Sequence, residues 1–150
     1  KAAEFFKQSI ACLESNSLLG IADVFRQQNQ LDSAIATIQK VTDLASNCDD
    51  ILSISKGLLS LGEIKQEQGS LREAYNLLVR GKEYADKSNS KGMQKEATRE
   101  LYKTSKLLGN YKAAIGYLES FNAISDSLHN QENTRAGKRK AETGGRQKIT

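Results

Sequence analysis

One 40-residue pattern runs through the chain three times without a gap. Asn29, Gly69 and Gly109 occupy the same place in each copy, and other columns fall into register around them. Downstream come Leu31 with Leu71 and Tyr111, Ala34 with Ala74 and Ala114, Ile38 with Leu78 and Leu118, and Leu44 with Tyr84 and Ile124. Upstream come Ile21 with Leu61 and Leu101, and Leu18 with Leu58 and Thr98. A fixed period of this length constrains the fold strongly. Each copy is one supersecondary unit that cannot bury its apolar face alone, so the copies must stack on one another to make a common core.

Inside a copy the apolar spacing is helical. Leu58, Leu61 and Ile64, then Ala74, Leu77, Leu78 and Gly81, recur at steps of three and four. Gly69 and Gly109 interrupt the pattern where a helix must end and turn, because glycine takes the left-handed backbone conformation at low cost. Asn29 is the next-best residue for that position. The alanine column lets two helices of a hairpin approach closely. Each copy therefore reads as helix, tight turn, helix. The spacing predicts a leading helix at 2–14, then hairpins of 16–28 with 31–46, 50–68 with 71–87, and 92–108 with 111–134. Asp49-Asp50 and Ser88-Asn89-Ser90 stand where the second and third hairpins begin, where short oxygen-bearing side chains cap free amides.

This pattern resembles the tetratricopeptide repeat family. The residues that carry the resemblance are Leu58, Leu61 and Gly62 with Gly69, Leu71, Ala74 and Leu78, and Leu101-Tyr102 with Gly109, Tyr111, Ala114 and Leu118. It implies an all-α, right-handed α-solenoid of antiparallel hairpins, with about seven helices. The domain would span 1–135: a leading half-repeat at 1–14 with Ala2 and Phe6 in the alanine and aromatic slots, and repeats at about 15–48, 49–88 and 89–135. The sequence departs from the family's period of about 34 residues, which implies longer helices. Asp86 and Asp126 stand where the family places a proline, and repeat one has Ala22 and Asn29 at two glycine positions. The ending from Leu107 to Arg135 is similar to the last repeat of bacterial sensor proteins, in which such an array precedes a kinase, cyclase or DNA-binding output module. That implies a sensing or docking module of a bacterial signalling protein.

Composition excludes several function classes. The 150 residues are 38% hydrophobic and 27% charged, as in ordinary globular domains. No apolar run reaches the roughly 20 residues needed to span a bilayer. The start, Lys1 to Phe6, has neither Met nor an apolar signal core and reads as a cut from a longer chain. A cytoplasmic location is expected, or a periplasmic one for the input domain of a membrane sensor. The net charge of +4 comes wholly from residues 136–150, where Lys138, Arg139, Lys140, Arg146 and Lys148 stand against Glu142. Gly137, Gly144 and Gly145 with no apolar periodicity predict a disordered tail there. Lys138-Arg139-Lys140 is too short to argue a nucleic-acid contact. Cys12 and Cys48 match no metal or redox spacing and read as two small, partly buried apolar residues in preference to a disulfide or a ligand pair. His129, the single histidine, has no ligand partner at metal spacing and reads as a surface residue. No nucleophile elbow, phosphate-cradling loop or metal motif is present. No enzymatic activity, cofactor or small-molecule substrate is expected.

Binding is the remaining class. The first helix of each hairpin lines the concave face of such an array, where an extended protein or peptide segment lies. The register places Asn16, Leu19, Asp23 and Arg26 on that face in repeat one, Lys56, Leu59, Glu63 and Gln66 in repeat two, and Glu96, Arg99, Lys103 and Lys106 in repeat three. Arg99, Lys103 and Lys106 form a basic row that would pair with an acidic peptide; the same row also reads as a solvated face, with Glu96 and Glu100 pairing along the helix. Leu19 and Leu59 are either anchors for an apolar peptide side chain or packing residues against the next hairpin. Their presence where a clamp for chaperone tails needs cations argues against that adaptor role. The alternative to a peptide-binding scaffold is a self-associating array, one copy covering the apolar edge of another.

Overall fold

The computed structural model describes the backbone of residues 2–147, and the side chains of these residues except 5, 6, 8, 9, 11 and 136–147. Six helices follow one another: α1 (Ala2–Gln27), α2 (Leu31–Asn47), α3 (Ile51–Glu67), α4 (Leu71–Ser88), α5 (Lys91–Leu107) and α6 (Tyr111–Gln147). Among the described residues there is no strand. Each helix packs on its neighbours in sequence, and the first helices of successive hairpins also touch, α1 on α3 and α3 on α5. This is the helical repeat array that the period predicts.

The three hairpin turns are copies of one another, and their backbone explains the turn column. Asn29, Gly69 and Gly109 have φ of 60°, 82° and 80°. In each turn the next residue's N–H reaches back five residues, Gln30 to Phe25 O at 2.8 Å, Ser70 to Lys65 O at 2.9 Å, and Asn110 to Ser105 O at 2.9 Å. These bonds satisfy carbonyls that the helix end would otherwise leave unpaired. At the starts of α3 and α5, Asp50 Oδ1 accepts from Ser53 N at 3.2 Å and Ser90 Oγ from Met93 N at 3.3 Å, as the oxygen-bearing residues there require.

The core is built at the joints between hairpins. Ala22, Ala34 and Ile38 of repeat one close on Ile64 of α3, and Leu59 and Leu78 of repeat two close on Ala97 and Leu101 of α5. The close approach within the second hairpin shows at Gly62, where a Cβ would stand 2.6 Å from Leu78 Cδ2. Two buried hydroxyls in the first helices donate to backbone carbonyls, Thr104 Oγ1 to Glu100 O at 2.9 Å and Ser55 Oγ across to Gly81 O at 2.8 Å.

Three features differ from the sequence map. The leading helix and the first helix of hairpin one are a single uninterrupted α1, so six elements contain the seven helical stretches. No glycine or proline lies between Glu14 and Asn16, and Ser15 Oγ donates to Cys12 O at 2.8 Å, which satisfies it inside the helix instead of capping a new one. The backbone of α6 continues to Gln147, past the point where a tail is predicted. Ala, Lys, Arg and Glu favour helix, and a glycine costs only about 1 kcal/mol within one; the basic side chains of 136–150 lie outside the described residues. Finally, Cys12 and Cys48 are not independent apolar residues. They form a disulfide between α1 and the end of α2, with their Cα atoms 6.1 Å apart, inside the range such a bond requires.

Candidate binding groove

Eleven of the twelve side chains expected on the concave face fall into two groups. Asn16, Leu19, Asp23 and Arg26 from α1, Lys56, Leu59 and Glu63 from α3, and Glu96 from α5 line one open concavity of about 360 Å³, together with Ser60 and Met93. The other residues, Gln66, Lys103 and Lys106, border a second concavity of about 500 Å³ with Tyr102, Leu107 and Tyr111. Arg99 borders neither. Ser60, Met93, Tyr102 and Tyr111 are absent from the sequence-based set. Ser60 stands one residue after Leu59, and Met93 one helical turn before Glu96, so only the distances between the helices reveal them.

The basic row of α5 lies outside the main groove, and two of its cations pair along their own helix, the second of the two readings that their spacing allows. Arg99 Nε lies 3.2 Å and Lys103 Nζ 3.3 Å from the same oxygen, Oε1 of Glu100. Glu100 is buried, and a buried carboxylate must be paired or hydrogen-bonded. Both cations are therefore committed to a neighbour on their own helix. Lys106 stands apart from that pair, its Nζ 6.0 Å from the Tyr102 ring centre.

On the α1 side, Arg26 bridges to α3, with Nη1 2.6 Å from Glu63 Oε2 and Nη2 2.5 Å from Glu67 Oε1. Burial pulls the guanidinium down, but the bonds to Glu67 and Glu63 hold its pKa above the ordinary value. Burial pushes the Glu63 carboxyl above the usual carboxylate range; Arg26 draws it back down, and the facing Glu100 and Glu96 push it up. The groove thus carries the carboxylates of Asp23, Glu63 and Glu96 against Lys56 and an Arg26 already held by two acids. Among the described residues Asp23, Lys56 and Glu96 have no ion-pair partner within 4 Å.

The two leucines separate. Leu59 is 1% exposed and belongs to the joint core with Leu78, Ala97 and Leu101. It forms the floor of the groove and is no protruding anchor, because the second and third hairpins close over it. Leu19 is half-buried at the groove wall. His129 is exposed. Among the described residues no three His, Cys, Asp or Glu side chains are grouped to hold a metal, and no helix is long and apolar enough to cross a membrane. Compared with models of known protein families and with curated proteins, the chain matches none.

Proposed function

We propose that this chain is a tetratricopeptide-type binding module whose concave face receives an extended peptide or protein segment. The observation that carries the reading is the convergence of α1, α3 and α5 on one groove, lined by eight side chains whose positions follow from the repeat register. A surface formed by equivalent positions of successive repeats suits a ligand that runs across them. The ligand class follows from the charges. The expected preference for an acidic peptide is replaced by one for a segment carrying a basic side chain. Arg99 and Lys103 are spent on Glu100, while Asp23 and Glu96 are unpaired carboxylates in the groove. Lys56, also unpaired, would take a carboxylate or carbonyl of the same ligand. The similarity of Leu107 to Arg135 to the ends of bacterial sensor arrays favours a sensing or docking role in a signalling protein.

A fluorescent peptide panel varied in charge, titrated against the protein, tests this. Peptides with a basic centre should bind at least tenfold tighter than acidic ones of equal length, and Glu96→Lys should remove that preference. If the preference for basic peptides is absent, or Glu96→Lys leaves it intact, the groove assignment fails.

A further inference from the structure

A repeat array carries its own control, because residues in one column share one environment. The hairpin tips form two columns that solvent reaches in every repeat. Gln27 and Gln28 close the first helix of repeat one, Glu67 and Gln68 that of repeat two, and all four are exposed although a further hairpin follows each pair. Leu107 and Leu108 take these places in repeat three and are exposed too, at 62% and 38%. Their exposure belongs to the column, so the change from polar to apolar at this tip serves no joint of the array. A lone exposed leucine is ordinary; Leu108 is set apart by what surrounds it.

Leu108 borders a concavity of about 330 Å³ with Arg72, Tyr75 and Asn76 of α4 and Asn110 of the third turn. Both walls lie inside the array, where repeats two and three meet, and none of the five residues lines the groove of α1, α3 and α5. The corresponding places where repeats one and two meet hold Asp32, Ile35, Ala36, Gln68 and Ser70. The first joint thus offers a carboxylate beside a polar tip, and the second a guanidinium beside an apolar tip. Arg72 is exposed and makes no ion pair within 4 Å among the described residues, while its neighbour Glu73 pairs with Lys65 at 3.4 Å. Asn110 Oδ1 accepts from Ala113 N at 3.3 Å, which leaves the amide N–H groups of Asn110 to donate. No carboxylate borders the concavity. The half-buried Tyr75 ring forms its wall, held by a hydroxyl contact of 3.1 Å to Tyr117.

We propose that the concavity between α4 and the third turn docks an acidic, apolar segment of a partner protein. An aliphatic side chain of that segment lies between Leu108 and the Tyr75 ring, and a flanking carboxylate takes the Arg72 guanidinium and the Asn110 amide. The unpaired cation selects the carboxylate, and the leucine beside it selects the apolar neighbour. The site does not rest on the groove reading: it takes the opposite charge, and Lys56 and Glu96 have no part in it.

Amide NMR titration of the full chain with a glycine–serine peptide carrying one leucine between two aspartates tests the proposal. Shifts should centre on Arg72, Asn76, Leu108 and Asn110, with Asp23, Lys56 and Glu96 unmoved. Replacing the aspartates by lysines, or the leucine by alanine, should weaken binding about tenfold. Leu108→Gln should weaken it by a similar factor; Gln28 and Gln68 hold that place in the other repeats, so circular dichroism should be unchanged. Arg72→Asp, which installs the residue type of Asp32, should turn the preference toward the lysine peptide. No shifts at millimolar peptide, shifts centred on the groove, equal binding of the aspartate and lysine peptides, or full affinity in Leu108→Gln would each overturn the proposal. So would sedimentation in which the chain self-associates and Leu108→Gln is monomeric, since a second copy would then be the occupant.

Discussion

Arg26 Nη1 and Glu63 Oε2, 37 residues apart in sequence, meet at 2.6 Å and tie α1 to α3 at the floor of the groove. The bond is made where Glu63 also faces Glu96 and Glu100, so the ion pair holds a carboxylate that its surroundings disfavour. This sets the sign of a pH effect. The folded-state pKa of Glu63 lies above its ordinary value of 4.5. The native state therefore binds the extra proton between the two values. Its contribution to stability is fully present below pH 4.5 and is lost as pH rises through the raised pKa. Glu63→Gln should flatten the stability profile across that window in urea unfolding at a series of pH values. Carbon NMR titration should place the Glu63 carboxyl above the exposed glutamates, and Glu96→Gln should move it down. A Glu63 that titrates with the exposed glutamates would contradict the argument.

Arg26→Ala removes the counter-ion and leaves Glu63 and Glu67 without it. A hydrogen bond to a charged group contributes about 1.5–3 kcal/mol, and Arg26 is only partly exposed, so a loss of about 1–3 kcal/mol is expected. A double-mutant cycle with Glu63→Gln reads the coupling; independent effects would place the strength of this joint elsewhere.

Leu59 and Leu19 occupy equivalent places one period apart but should respond differently to truncation. Leu59→Ala empties a site enclosed by Leu78, Ala97 and Leu101 and should cost about 2–5 kcal/mol. Leu19→Ala, at a half-buried position on the groove wall, should cost a fraction of that. Denaturant midpoints of the two variants decide it, and equal losses would contradict the packing described for Leu59.

This pair shows where sequence reasoning stops. The turns at Asn29, Gly69 and Gly109 were legible because a positive φ restricts residue type, so backbone geometry leaves a mark in the composition. The groove positions were legible because a repeat register transfers from one copy to the next. Whether Leu59 protrudes or packs depends on what the following hairpin puts opposite it, and Ala97 lies 38 residues away. The commitment of Arg99 and Lys103 to Glu100 depends on the burial of that carboxylate; local spacing favours a solvated, paired face over free display but does not pick out the partner. The course of α1 through Ser15 turned on one hydroxyl bonding back to Cys12 O instead of capping forward.

The turn column gives a second graded test. Gly69 has φ of 82° with open space around its Cβ position, so a side chain there meets backbone strain alone. Gly69→Ala should cost about 1–2 kcal/mol. Gly69→Asn should cost less, since Asn29 takes the equivalent conformation in repeat one at φ of 60°. Thermal unfolding of the two variants should show the alanine form melting lower; the reverse order would place the constraint in side-chain contacts.

The bond between Cys12 and Cys48 makes the last prediction. It closes a segment with a sequence separation of 36 that contains the end of α1, the first turn and all of α2. Cross-linking a loop of that size lowers the entropy of the unfolded chain, and in the chain-entropy account this stabilises by roughly 3–4 kcal/mol. The bond also holds the N-terminal part of α1, which exposes Leu13 beside it, against the end of α2. Reduction, or the paired substitution Cys12→Ser with Cys48→Ser, should therefore lower the unfolding midpoint. Its effect on amide exchange should be greatest at the first half of α1 and the end of α2, with α5 protected as before. Mass spectrometry of the unreduced digest should recover the two peptides linked. Free thiols at both positions in protein refolded under oxidising conditions, or a midpoint unchanged by reductant, would contradict the role assigned to the bond.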